Sequence, residues 1–241
     1  APLARAQIDP DGNEFQVNDY TTGQQVLPSV VHIGNRKFVI VWSSFGADGS
    51  ADGIVGRRSS DDGTQLRREF LINTYTTGGQ TQPVVGGNDT GRFVVVWTNS
   101  QAQDGTGSGI FGQRYNAIGT KAGAEFQVNA VGSGFQRTPD IAVLPDGSFI
   151  TAWTEASDGS ETSIAARRFG DDGVPLAGNF TVNSGTAGYQ VLPAISADDD
   201  GSFVVTFASY GGDDGNDDGT AGVFARRFDA DQARAFMRDV G

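Results

Sequence analysis

Apolar positions in this chain recur in short runs and not at helical spacing. Runs of about five mainly apolar residues recur four times, at 38–42, 93–97, 149–153 and 203–207. Each run closes on an aromatic side chain: Trp42, Trp97, Trp153 and Phe207. Such a run between turn residues is typical of a strand that is buried on both faces. Shorter segments with alternating apolar and polar residues, such as 15–18, are typical of an edge strand covered on one face. The pattern predicts an all-β chain.

The 241-residue chain is written as a tandem repeat. The Phe that opens each copy lies at positions 15, 70, 126, 180 and 236, which gives spacings of 55, 56, 54 and 56 residues. The copies cover about 14–68, 69–124, 125–178 and 179–236, and residues 1–13 form a partial repeat. Because no spacer separates the copies, we expect 1–241 to be a single repeat domain.

Four strands are predicted in each copy. In the first copy they cover 28–33, 38–43, 53–58 and, at the start of the copy, 15–18. Four-stranded antiparallel units that repeat at this interval predict a β-propeller-like array of four blades. The long apolar strand would lie in the middle of each blade, and the alternating strand at its rim.

The surplus segment at the N-terminus leaves three arrangements open. Its strand at Phe15 would close the ring by joining the last blade, form half of a fifth blade, or pair with another chain. The alternative to four blades is therefore a five-bladed propeller with a split or strand-swapped blade. Pairing with another chain would make a homo-oligomer.

Composition excludes several classes of partner and chemistry. The net charge is −12, so nucleic acid and anionic membranes are not expected partners, because binding to both depends on Lys and Arg. No apolar run approaches the length that spans a bilayer, so membrane insertion is not expected. The chain has no Cys, which excludes disulfides, thiolate zinc sites and a Cys nucleophile. It begins with Ala1 and shows no signal peptide, which we interpret as a mature or excised form.

Two Asp- and Gly-rich loops predict calcium sites. Both follow the pattern Asp-x-[Asn/Ser]-x-Asp-Gly, which places oxygen ligands at alternate positions around a tight turn. The predicted metal ligands are Asp48, Ser50 and Asp52 in the first loop and Asp214, Asn216 and Asp218 in the fourth. An EF-hand is excluded, because its twelfth position holds Ser59 in one loop and Ala225 in the other. The alternative is that Asp-Gly pairs form plain, solvated turns.

Four aromatic residues in the Gly- and Thr-rich crossings between copies are candidate ligand-binding residues. They are Tyr20, Tyr75, Phe135 and Tyr189. An exposed ring at these points would stack on a sugar, and the alternative is that the rings join neighbouring blades.

The other repeated side chains favour structural roles. We expect the closing Trp residues to pack in the core. The repeated Asn and Gln should satisfy backbone groups at the crossings. The repeated Arg should donate to carbonyls or Asp between blades. These Arg residues are Arg58, Arg114, Arg168 and Arg227.

No catalytic constellation stands out. His32 is the only His, and a Ser-His-Asp arrangement would rest on that one residue. Carboxylate pairs occur throughout a chain as acidic as this one, so their presence does not identify a catalytic site. We therefore predict no catalytic residues and a protein that is not an enzyme.

The landmarks together resemble a known tandem repeat. They are Glu-Phe-x-Val-Asn, Gln-x-x-Pro, Asp-Gly-x-Phe-x-x-x-Trp and Asp-Gly-x-x-x-Gly-Ile-x-x-x-Arg, best preserved in the third copy at Phe126, Pro139, Asp146 and Trp153. They resemble a repeat of large exported bacterial proteins that often also carry haemolysin-type calcium-binding repeats. The resemblance implies a secreted or cell-surface, propeller-like module with calcium as its cofactor. The fourth copy departs from the pattern at Phe207.

The predicted function is an exported bacterial binding or adhesion module. It would recognise carbohydrate or a protein surface in a lectin-like way, with loops stabilised by calcium. The alternative is a structural calcium-binding spacer of a larger surface protein. A glycosidase with carboxylates at the ring axis ranks third.

Overall fold

The computed structural model describes residues 13–101, 103, 105, 107–130, 134–156, 161–185, 187–211 and 220–230. Its strands form four antiparallel sheets, one for each copy of the repeat. They are β1 (Gln25–His32), β2 (Lys37–Phe45), β3 (Asp52–Ser60), β4 (Phe70–Leu71), β5 (Gln80–Gly87), β6 (Phe93–Asn99), β7 (Gly109–Tyr115), β8 (Phe126–Gln127), β9 (Phe135–Val143), β10 (Phe149–Ala156), β11 (Thr162–Phe169), β12 (Phe180–Thr181), β13 (Tyr189–Ala197), β14 (Phe203–Tyr210) and β15 (Ala221–Phe228). The all-β, propeller-like array of blades is confirmed.

Each blade is assembled in chain order from an inner to an outer strand. The first blade has the order β1-β2-β3-β4, and the next two follow the same plan. The inner strands β1, β5, β9 and β13 lie beside one another in sequence order. The outer strand is only two residues long and is the Phe-led segment that opens the next copy. The predicted positions of the long middle strand and the rim strand are therefore confirmed.

Every inner strand is bent by an irregularity just before its proline. The residue before Pro has a left-handed φ of 51° to 57° in all four copies: Leu27, Gln82, Thr138 and Leu192. The pairing with the second strand slips at the same point in each blade. A slip of this kind is a β-bulge, which bends a strand and re-aims its side chains. The inner strand β1 begins three residues before the predicted start at position 28, because pairing resumes on the other side of the bulge.

The core lies between the blades. Along β6, Phe93, Val95 and Trp97 pack toward the first blade, whereas Val94 and Val96 pack toward the third. A third cluster joins the third and fourth blades. Trp97 and Trp153 have no exposed surface. The predicted core role of the closing aromatics is confirmed, and burial of large rings is a main source of stability.

Among the residues that the structure describes, the array is open between the fourth blade and the first. No core cluster of described residues joins these two blades, and β13 does not lie beside β1 as the other inner strands do. Residues 15–18 are not in a strand, although a strand was predicted there. They lie against the first blade instead, where the ring of Phe15 covers Gly63 and Gln65 Nε2 donates to the carbonyl of Gln16.

The described residues therefore do not show the N-terminal segment closing the ring. The fourth sheet has three strands within the described part of the chain. The fifth Phe of the repeat, at position 236, lies outside the described residues. No helix among the residues described is both long enough and apolar enough to cross a membrane.

Candidate functional site

The crossings between blades are held by repeated Asn and Gln side chains. Asn73 Oδ1 accepts a hydrogen bond from the backbone N–H of Ile54 (2.8 Å), and Asn73 Nδ2 donates to Gln80 Oε1 (3.0 Å). The same pair of bonds is made at the next two crossings, by Asn129 with Ile110 and Gln136 and by Asn183 with Ile164 and Gln190. The predicted role of these residues in satisfying buried polar groups is confirmed.

The repeated Arg residues reach across to the next blade at the other end of the strands. Arg58 Nη2 donates to the carbonyl of Ala117 (2.9 Å), and Arg114 Nη1 donates to the carbonyl of Asp171 (2.5 Å). Burial lowers the pKa of Arg58, and the nearby charge of Arg67 lowers it further. The structural role predicted for the Arg is confirmed at these two positions.

An open cavity of about 600 Å³ lies at this end, between the third and fourth blades. Arg168 and the acidic residues Asp146, Asp171, Asp199 and Asp200 line it. A similar cavity between the second and third blades is spanned by an ion pair from Arg92 Nη1 to Asp171 (3.1 Å). Charges of both signs therefore line these cavities, as expected for joints between blades.

The four candidate aromatic residues fall into two groups. Tyr20 and Tyr75 are half-buried, and their backbone N–H groups donate to the carboxylates of Glu69 and Glu125. Phe135 and Tyr189 are 64% and 54% exposed and begin the neighbouring inner strands β9 and β13.

Tyr210, which sequence reasoning did not single out, pairs with Tyr189 across the strands and is 42% exposed. One end of the inner strands therefore presents Phe135, Tyr189 and Tyr210 to solvent. That any of the four predicted aromatics binds a ligand stays a prediction.

Asp140 carries a carboxyl group on an inner strand and was not among the residues singled out from the sequence. It lies on β9, and the strands β1, β5, β9 and β13 hold no other Asp or Glu. Its Oδ2 accepts the backbone N–H of Ile195 on the next inner strand (2.7 Å), and its Oδ1 accepts the N–H of Ile141 (2.9 Å). Burial raises the pKa of Asp140, against the opposing effect of the two N–H donors.

The repeat itself contains the signal for Asp140. The residue after the repeated Pro is Ser29, Val84, Asp140 or Ala194 in successive copies, so a carboxyl appears once. Ser29 makes the corresponding contact in the first blade, where its Oγ accepts the N–H of Val85 (3.2 Å). Asp140 therefore joins two blades and also breaks their symmetry.

The first predicted calcium loop is organised by hydrogen bonds within the protein. Asp48 Oδ1 accepts the N–H of Ser50 (3.0 Å), and Asp48 Oδ2 accepts Asn73 Nδ2 (3.0 Å). Asp52 begins β3. Among the residues that the structure describes, no three His, Cys, Asp or Glu side chains are grouped so as to hold a metal. The fourth loop, with Asp214, Asn216 and Asp218, lies outside the described residues. Calcium binding stays a prediction.

Comparison with known proteins identifies similar folds. No protein-family model and no curated protein matches the chain. The chain is similar to a thermostable family-43 glycoside hydrolase, with 15% identity, a TM-score of 0.51, and coverage of 85% of this chain and 72% of that one. It is similar to an endo-arabinase from Bacteroides thetaiotaomicron, with 16% identity, a TM-score of 0.54, and coverage of 91% and 81%. It is also similar to a GH93 α-L-arabinofuranosidase of Fusarium graminearum in complex with arabinobiose, with 14% identity, a TM-score of 0.59, and coverage of 85% and 62%.

These similarities correct two predictions. The chain was predicted not to be an enzyme, and a binding or adhesion module or a calcium-binding spacer was ranked above a glycosidase. The similar structures are glycoside hydrolases, and this finding contradicts both predictions. A glycosidase was ranked third because the repeated landmarks favoured packing roles and carboxylate pairs occur throughout so acidic a chain. The chain therefore has a β-propeller fold similar to that of these glycoside hydrolases.

Proposed function

We propose that this chain is a glycosidase that cleaves arabinose-containing glycans. The observation that carries the proposal is Asp140, a half-buried side chain and the one carboxyl on the four inner strands. The fold supports it, since the similar structures include an endo-arabinase and an arabinofuranosidase in complex with arabinobiose.

The chemistry of glycoside hydrolysis fits a carboxyl in this environment. One carboxyl group protonates the oxygen of the leaving group, and a second acts as a nucleophile or activates water. A raised pKa keeps a carboxyl protonated at higher pH, which suits it to the acid role. Because Asp140 is the only carboxyl on the four inner strands, the second carboxyl has to come from another element.

The exposed aromatics supply a place for the glycan. Phe135 begins β9, and Asp140 lies five residues further along the same strand, on the order of 16 Å away at about 3.3 Å per residue. A glycan in contact with both would have to extend over several sugar units. Aromatic rings with a few polar groups are typical of ligand sites. The geometry therefore favours an oligosaccharide over a single sugar.

Release of reducing ends from linear arabinan and arabino-oligosaccharides tests the proposal. The informative variant is Asp140→Ser, because Ser29 shows that a serine hydroxyl can accept the backbone N–H of the next inner strand. This variant removes the carboxyl and keeps the joint between blades. Loss of an acid catalyst lowers rates by about 10²–10⁴-fold. We expect that loss in Asp140→Ser, with a melting temperature close to that of the wild type.

Ser29→Ala is the matched control. It removes the corresponding contact to Val85 in the first blade but no carboxyl, so its rate should stay at the wild-type level. The proposal is overturned if the folded wild-type chain releases no sugar from these substrates. An Asp140→Ser variant with full activity would overturn the role of Asp140.

A further inference from the structure

The segment after each outer strand is held in a repeated way by the next blade. Glu125, beside the outer strand of the second blade, accepts the backbone N–H groups of Thr74 (2.5 Å) and Tyr75 (3.3 Å). Thr74 and Tyr75 follow the outer strand of the first blade. The outer edge of one blade is therefore fastened to the outer edge of the blade that follows it.

Cations on the third strands make a second repeated contact with the preceding outer edge. Arg167 Nη1 donates to the carbonyl of Val128 (3.1 Å), and Arg226 Nη1 donates to the carbonyl of Val182 (2.7 Å). Val128 and Val182 directly follow the outer strands β8 and β12. The carboxylate contact is thus made by the second blade and the Arg contact by the third and fourth blades, in each case to the outer edge of the blade before it.

On the first blade the residues at these two positions, Glu69 and Arg57, both contact residues 15–20. Glu69 accepts the backbone N–H groups of Asp19 (2.7 Å) and Tyr20 (3.0 Å), as Glu125 does for Thr74 and Tyr75. Arg57, which is fully buried, forms an ion pair with Asp19. Residues 15–20 therefore occupy the position of the outer edge of a blade that would precede the first one.

On the other side of the opening, one face of the fourth blade is largely exposed within the described part of the chain. On β14 and β15, Val204, Thr206, Ala208, Val223 and Ala225 line this face, and Val223 is 85% exposed. The corresponding residues of the third blade are buried against the fourth: Ile150, Ala152, Thr154, Ile164 and Ala166. The strands carry one charged side chain on this face, Arg227, although the chain is strongly acidic.

We propose that the cleft between the fourth and first blades receives one further blade of the same repeat type, for which residues 15–20 form the outer strand. The interface would continue the three that exist, in which this face packs against the face of the next blade that carries the opening Phe and the closing aromatic residue of its middle strand. Arg227 would donate to a turn carbonyl of the added blade, as Arg58 donates to Ala117 and Arg114 to Asp171. Five blades would then close the ring.

Adding one repeat to the whole chain tests this proposal. A second copy of 125–178 is inserted before Glu14, so that Phe15 follows it as Phe180 follows the natural copy. Backbone hydrogen exchange is then measured in β14 and β15. We expect exchange there to slow by about tenfold or more, because the face becomes part of a packed interface. The melting temperature should rise as well.

A matched control carries Phe149→Ser and Trp153→Ser in the inserted copy alone. These two side chains pack toward the preceding blade, so their loss should leave β14 and β15 as fast to exchange as in the original chain. Unchanged exchange in the extended chain would overturn the proposal. So would a dimer of the original chain with β14 and β15 already protected, because a second copy would then be the occupant. The test does not involve hydrolysis, so its outcome is independent of the proposed activity.

Discussion

Replacing Asn129 with alanine removes the side chain that joins two blades at a buried crossing. Asn129 is 1% exposed, its Oδ1 accepts the N–H of Ile110 (2.9 Å), and its Nδ2 donates to Gln136 Oε1 (3.3 Å) and to the carbonyl of Ala130 (3.1 Å). Ile110 has no exposed surface and Gln136 is 1% exposed, so water cannot replace the lost partners.

The loss of free energy of unfolding follows from two buried polar groups that lose their hydrogen-bond partner. A buried donor or acceptor left without a partner costs about 1–3 kcal/mol. The Ile110 N–H and the Gln136 Oε1 would both be left without a partner, so we expect the free energy of unfolding to fall by roughly 3 kcal/mol. For a chain of this length that corresponds to a fall in melting temperature of about 6–12 °C.

The assay is urea unfolding followed by tryptophan fluorescence, with Asn18→Ala as the matched control. Asn18 occupies the same place in the surplus segment, but its Nδ2 donates only to the carbonyl of Tyr20 (2.9 Å) and its Oδ1 meets the exposed Gln16 at 3.4 Å. Its replacement should cost under about 1 kcal/mol. Equal losses for Asn129→Ala and Asn18→Ala would refute the role assigned to the crossings.

Three further predictions concern turns and loops. The Ser60 hydroxyl and the Thr64 N–H lower the pKa of Asp62 from its ordinary value of 3.8 to about 2. The Asp62 carboxylate therefore stabilises the turn at pH values above 3.8, and this contribution is lost as the pH falls toward 2. Asp62→Asn should therefore flatten the decline in melting temperature over that window. If calcium binds the first loop, the melting temperature should be higher in calcium than in chelator, and Asp48→Ala should remove the difference. Equal melting temperatures of the wild-type chain in calcium and in chelator would exclude that site. Gly34→Ala should lower the melting temperature more than Gly49→Ala does. Both glycines have a left-handed φ, but only at Gly34 would an added Cβ meet a backbone oxygen, at 2.1 Å. Equal losses would show that the close contact relaxes at no cost.

The blades could be predicted from the sequence because each landmark has one local physical role. The apolar runs are strands buried on both faces, and Trp97 and Trp153 have no exposed surface. The repeated Asn and Gln bond across the crossings, and Arg58 and Arg114 reach the next blade. Repetition itself was the useful signal, since a side chain that recurs in every blade is used to join blades.

The open end of the array could not be predicted, because it depends on long-range contacts. The sequence at 15–18 matches the rim strands, yet its position is set by Glu69 and the buried Arg57. The early start of β1 at Gln25 was missed for a different reason. A left-handed residue before proline, as at Leu27, is unusual for a residue other than glycine, and a local pattern does not reveal it.

The candidate site could not be predicted from the repeat, because Asp140 occurs in one copy only. Asp140 is one Asp among many in an acidic chain, and its burial and its bond to Ile195 are properties of the fold. The exposed Phe135 and Tyr189 were identified from the sequence, but their position at one end of neighbouring inner strands was not. A comparison of the copies position by position would have identified Asp140 as the single carboxyl of its set.

The most direct test of the central claim is the incubation of the wild-type chain with linear arabinan, followed by chromatography of the products. The account predicts release of arabinose or short arabino-oligosaccharides at a rate that falls by about 10²–10⁴-fold in Asp140→Ser. Intact polysaccharide after incubation with the folded chain would contradict the claim that this propeller is a glycosidase.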